Sequence, residues 1–132
     1  MKRVVVDTNV LIKAFKSAEL VFDHLSKYDE LLIPLIVAGE FKAGLFDTKA
    51  GRETRELFNR YCNSSGVKMV GLTDKTVDLY AKIHQILRAA GTPIPSNDIW
   101  IAALAFEHSA DLATNDAHFN HIPMLGVTLI DQ

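Results

Sequence analysis

Three consecutive β-branched residues, Val4-Val5-Val6, run directly into an acid, Asp7. Side chains of a strand alternate between the two faces of its sheet, so a run that is apolar at every position must be buried on both faces. That condition belongs to a parallel sheet covered by helices on each side, and it disfavours a sheet with one wet face. Four more short runs are strand candidates: Leu31-Leu32-Ile33 before Pro34, Val67-Lys68-Met69-Val70 between two glycines, Asp111-Leu112-Ala113-Thr114, and Val127-Thr128-Leu129-Ile130. All four are expected to be buried like Val4-Val5-Val6, Asp111-Leu112-Ala113-Thr114 being the weakest.

Helical spacing fills the intervals. Thr73 is a good N-cap with Asp74 in the first turn, and Gly91 supplies a stop, so a helix is expected over 73–90. Val77, Tyr80, Ile83, His84 and Leu87 fall on one stripe of it. Residues 99–106 are apolar all round and predict a central, almost fully buried helix that takes Trp100 into the core. Helices are also expected over 34–46 and 51–62, with one or two in 10–28. Strands alternating with helices imply βαβ units and an α/β fold with a mainly parallel sheet. The 132 residues have the length of one domain, 1–132. With 48 % hydrophobic and 23 % charged residues the chain is not a disordered one. The single cysteine, Cys62, excludes an internal disulfide, and no apolar run approaches the ~18 residues of a membrane span. A cytoplasmic setting is expected, with no membrane partner.

Sites in such sheets form beyond the carboxyl ends of the strands. That rule selects Asp7, then Asn115 and Asp116 after the fourth strand, Asp98 at the start of the apolar helix, and Glu40 within the helix that Pro34 begins. Each has a plain structural reading: Asp7, Asn115 and Asp116 as turn residues, Asp98 as a first-turn acid favoured by the helix dipole. Glu40 and Asp98 have apolar neighbours in sequence and are expected to be buried, where a carboxylate needs a partner. Several carboxylates gathered at one edge repel each other, and a divalent cation resolves that. Oxygen ligands select hard ions, Mg²⁺ or Mn²⁺, a combination suited to phosphodiester cleavage.

Four segments together resemble the motifs of PIN-domain ribonucleases. They are Val4-Val5-Val6-Asp7-Thr8-Asn9, Val37-Ala38-Gly39-Glu40-Phe41, Pro95-Ser96-Asn97-Asp98-Ile99-Trp100, and Leu112-Ala113-Thr114-Asn115-Asp116-Ala117-His118-Phe119. A small chain of this kind is similar to the VapC toxins of VapBC toxin–antitoxin pairs. The resemblance implies a three-layer α/β/α sandwich with a five-stranded sheet of order 3-2-1-4-5. It also implies a metal-dependent endoribonuclease using one or two Mg²⁺ or Mn²⁺ ions, an RNA substrate, a cognate antitoxin and a homodimer. Carried over, Asp7 and Asp98 are the expected direct metal ligands. Glu40 and Asp116 complete the acidic pocket directly or through water, and Asn9 and Thr114 orient an acid, a water or a phosphate. Lys13, Lys42, Arg52 and Arg55 are candidates for RNA backbone contacts, although Arg52 and Glu56 are spaced as a self-paired helix couple.

Other readings stay open. A degenerate PIN-like RNA- or protein-binding module would keep the fold without catalysis, but should have lost an acid. A phosphoaspartyl phosphatase with Asp7 as nucleophile needs a second acid two residues on, where this chain has Asn9. His118 and His121 are read as surface or packing residues, and His24, His84 and His108 as half-buried helix residues. The formal charge is −2; the four candidate acids carry four negative charges, so the remainder of the chain is +2. Mild acidity therefore does not argue against an RNA substrate.

Overall fold

The computed structural model describes residues 1–16, 18–45 and 48–130. The strands are β1 (Arg3–Val6), β2 (Glu30–Pro34), β3 (Val67–Val70), β4 (Asp111–Thr114) and β5 (Val127–Leu129). They form one sheet of order β3-β2-β1-β4-β5 in which every pairing is parallel. The helices are α1 (Thr8–Lys16), α2 (Ala18–Leu25), α3 (Leu35–Ala43), α4 (Lys49–Cys62), α5 (Asp74–Ala90) and α6 (Ser96–Glu107), followed by a 3₁₀ turn over Ala117–His121. The expected helix over 34–46 ends at Ala43, and position 46 lies outside the described residues.

Parallel neighbours need crossovers, and these are right-handed. The chain steps from β1 to β2 to β3 in one direction and returns from β3 to β4 in the other. Right-handed crossings therefore lay α1–α4 on one face and α5–α6 on the opposite face. The packing agrees: α1 lies on α2 and α3, while α6 lies on α5, β1 and β4. The direction of winding reverses between β1 and β4, which opens a crevice beyond their carboxyl ends.

Val4, Val5 and Val6 are 0–1 % exposed, and Leu32, Ile33, Leu112 and Ala113 are equally enclosed. β3 and β5 depart from the expectation of buried runs, being only partly covered. The strand order is the reason: both are edge strands with one neighbour each. In α6, Ile99 and residues 101–105 are buried, but Trp100 is only half-buried. It turns outward to stack on Tyr80 of α5, ring centroids 4.0 Å apart. The stripe on α5 is narrower than its spacing predicts. Thr76, Ile83 and Leu87 are buried, whereas Val77 and His84 are exposed, because α5 rests chiefly on a single helix, α6. His24 is exposed as well, and His108 is half-buried as expected. Thr73 caps α5 through the Thr76 amide, and Glu107 at the end of α6 accepts the hydroxyls of Thr73 and Thr76, clasping the two helices. Among the described residues no helix is long and apolar enough to cross a membrane.

At the amino edge of the sheet an ion triad crosses three strands. Glu30 on β2 accepts from Arg3 Nε of β1 at 2.7 Å and from Lys68 Nζ of β3 at 2.5 Å. Arg3 stands directly opposite Glu30 in the β1–β2 register. A one-residue slip would turn every side chain of a strand to the other face, so the triad and the apolar runs specify the same alignment. Hydrogen bonds from Lys68 and Arg3 hold the Glu30 carboxyl below its ordinary 4.5. A depressed acid contributes stability that is present above the unfolded-state value and lost as pH falls through the folded one. Glu30→Gln is accordingly expected to lower Tm at pH 7, and the gap from wild type should close as the pH is taken below 4.5, measured by thermal melts across pH.

Candidate functional site

Asp7 directly follows β1, and its amide still donates to the Ala113 carbonyl of β4 at 3.0 Å. Since Val6 pairs with Ala113, Asp7 stands beside Thr114. The Thr114 hydroxyl, fully buried, donates to Asp7 Oδ2 at 2.8 Å. The other oxygen, Oδ1, accepts the Thr8 amide at 2.8 Å, where α1 begins. Both oxygens are thus held by neutral donors. Asp7 is itself only 6 % exposed.

Burial pushes the Asp7 carboxyl above its ordinary 3.8; the hydrogen bonds from Thr114 and Thr8 oppose that, and the nearby charges of Asp98 and Asp116 reinforce it. Strand β1 therefore delivers a carboxylate into a dry position next to two others. Asp98 sits in the first turn of α6 and is half-buried, and Asp116 is the N-cap of the 3₁₀ turn after β4. The plain structural readings, Asp98 as a first-turn acid and Asp116 as a turn residue, hold together with their closeness to Asp7. Asn115, between Thr114 and Asp116, is partly covered in that same turn.

His118, which sequence reasoning assigned to surface or packing, joins the two acids. Its Nε2 lies 2.9 Å from Asp98 Oδ2 and its Nδ1 2.8 Å from Asp116 Oδ1. One oxygen each of Asp98 and Asp116 and a ring nitrogen of His118 lie within 4.8 Å of one another, close enough to share a metal ion. The cue in the sequence was the spacing of His118 two residues after Asp116, the reach of a capping side chain back to its own turn. His121 is exposed at the end of that turn.

Glu40 departs from expectation. It is exposed, because α3 buries Val37, Ala38 and Phe41 and presents positions 35, 39 and 40 outward. Apolar neighbours in sequence did not mean a buried side chain, since a helix turns each residue 100° from the last. Glu40 still reaches the site's edge: its Oε1 accepts the Thr8 hydroxyl at 3.0 Å, and Thr8 in turn holds Asp7. Asn9 is exposed on the first turn of α1. Of the basic residues, Lys13 is partly covered on α1 and Arg52 is exposed on α4. Lys42 lies with its Nζ 5.7 Å from the centre of the Phe58 ring, and Arg55 reaches the Leu45 carbonyl at 3.5 Å. Arg52 and Glu56 do not come within ion-pair distance of each other.

The donor set suits a hard divalent cation. Carboxylate oxygens dominate it. The groups that hold Asp7 are neutral, and the charges of Asp98 and Asp116 lie close enough to raise its carboxyl further.

Residues 4–125 match the PIN domain family. Over 130 residues, 98 % of each chain, the sequence is 25 % identical to Ribonuclease VapC4 of Mycobacterium tuberculosis. The fold superposes on VapBC2 from Rickettsia felis bound to a promoter DNA fragment with a TM-score of 0.85, at 22 % identity over 98 % of this chain and 99 % of that one. It superposes on VapBC-1 from nontypeable Haemophilus influenzae with a TM-score of 0.82, at 23 % identity over 96 % and 97 %. At such identities the structural likeness concerns the fold.

A raised acid has the opposite sign from Glu30. Its folded-state cost is absent below the unfolded-state value of 3.8, grows as pH rises above it, and is complete once pH passes the folded value. In chelator at pH 7.5, Asp7→Asn is expected to melt above wild type, and the difference should vanish near pH 3.5. Paired thermal melts at the two pH values check both statements.

Proposed function

The chain belongs to the PIN-domain family, and on that premise we propose that it is a metal-dependent endoribonuclease, the toxin of a type II toxin–antitoxin pair. The observation that carries the enzymatic reading is the buried Asp7 carboxylate, held by neutral donors and crowded by Asp98 and Asp116 at the crevice between β1 and β4. The toxin reading draws its support from Ribonuclease VapC4 and from the VapBC structures that share the fold. The partners proposed are RNA, a cognate antitoxin protein and a second copy of this chain, in the cytoplasm, with residues 1–132 acting as one domain.

Asp7 and Asp98 would hold Mg²⁺ or Mn²⁺ directly, as one or two ions, with Glu40 and Asp116 contributing directly or through water. Such an ion supplies charge to the phosphodiester oxygens and lowers the cost of deprotonating the attacking water. The protein's part is orientation. Thr114 and Thr8 fix the two oxygens of Asp7, so the acid is aligned before substrate arrives. Thr8 also ties Glu40 to the rim. Asn9, exposed on the first turn of α1, would meet water or a phosphate oxygen. Lys13, Lys42, Arg52 and Arg55 lie on α1, α3 and α4 and supply positive charge for the RNA backbone. Binding should weaken with salt, as phosphate contacts do.

Purified protein with Mn²⁺ or Mg²⁺ is expected to cut RNA, and Asp98→Asn to slow it by on the order of 100-fold or more, the loss of several kcal/mol of charge stabilisation. Expression should arrest growth, and Asp98→Asn should relieve the arrest. Mapping cleavage sites on total cellular RNA, with Asp7→Ala as control, reads out the target. No cutting with either ion, together with a growth effect untouched by Asp98→Asn, would overturn the proposal.

A further inference from the structure

We propose that His118 is a positioning residue for the cation site: it sets the spacing between Asp98 and Asp116, which belong to different elements. The inference rests on the reading of the acidic pocket as a divalent-cation site.

Asp98 comes from the first turn of α6 and Asp116 from the cap of the 3₁₀ turn after β4. Both carry the charge that raises Asp7, so they repel it and each other. A rigid five-membered ring spans the gap, with one nitrogen on each acid. The ring is itself held. The His118 amide donates to Asp116 Oδ1 at 3.1 Å, and the imidazole packs on Phe119, a fully buried side chain, at 5.3 Å between centroids.

The contacts continue inward. The Asp116 amide donates to Thr114 Oγ1 at 3.0 Å, and the Thr114 hydroxyl donates to Asp7 Oδ2. One unbroken path therefore runs from Asp98 through His118, Asp116 and Thr114 to Asp7. It aligns three acids contributed by β1, α6 and the turn after β4. Asp98 Oδ1 and Asp116 Oδ2 stay outside the ring's contacts, leaving one oxygen of each acid for the cation. Groups that orient ligating side chains in this way commonly govern affinity by 10–100-fold.

The test is isothermal titration of Mn²⁺ alone at one fixed pH, with melts in chelator run alongside. His118→Ala is expected to weaken Mn²⁺ binding by about tenfold or more while the chelator Tm stays close to that of wild type. His118→Gln retains a planar donor for one acid only, and should bind more weakly than wild type but more tightly than the alanine variant. It carries the test if His118→Ala does not fold. In an Asp98→Asn background, His118→Ala should add little further loss, since the spacing it sets has lost one end. Mn²⁺ binding by His118→Ala as tight as wild type, or tighter, would overturn the positioning role while leaving the cation site standing. Failure of wild type to bind Mn²⁺ would overturn both.

Discussion

A carboxylate held in a dry position at the carboxyl end of the central strand is costly unless its surroundings are built for it. Asp7 is that carboxylate, and much of the molecule is arranged around it. The apolar run before it anchors β1 between two helical layers, so the acid cannot withdraw to solvent without breaking the core. Thr114 and Thr8 hold its two oxygens without neutralising them. The result is a charged group kept at some expense in stability, a trade that recurs where a site is organised for a ligand rather than for the fold.

The topology supplies the other acids. Because winding reverses between β1 and β4, the segments that follow these strands diverge and leave a crevice. The start of α6 and the turn after β4 enter it from the side opposite α1 and α3. Four acids far apart in the chain thus arrive at one edge by three different routes: a strand end, two helix starts, and a helix face. At the other edge, the Arg3–Glu30–Lys68 triad fixes the alignment of β1, β2 and β3. The separate pairing of Val6 with Ala113 in β1 and β4 decides that Thr114 stands beside Asp7 at the carboxyl end.

Much of this was legible in the chain. Consecutive apolar β-branched residues reported burial on both faces, and alternation with helical spacing reported parallel pairing. Asp7 and Asp116 were visible as residues just past strands, and Asp98 as a first-turn acid. Burial was harder to read. Glu40 has apolar neighbours on both sides in sequence, yet the turn of α3 points it outward. Trp100 lies in the most apolar segment, yet it faces the seam with α5 and stacks on Tyr80 rather than entering the core. His118 was passed over because its spacing to Asp116 points only to a contact within one turn, while its other partner, Asp98, is on another element.

The sequence by itself determined the element order, the parallel sheet and the candidate acids, because periodicity and strand-end position are local properties of the chain. The tertiary structure alone decided which acid is dry, which is exposed, and which side chains hold them. Those outcomes depend on register across β1 and β4 and on the rotation of α3 and α6 against the sheet. Pairing of Thr114 with Asp7, and of His118 with Asp98, exists only once those elements are packed, since each bond joins residues that the chain alone does not bring together.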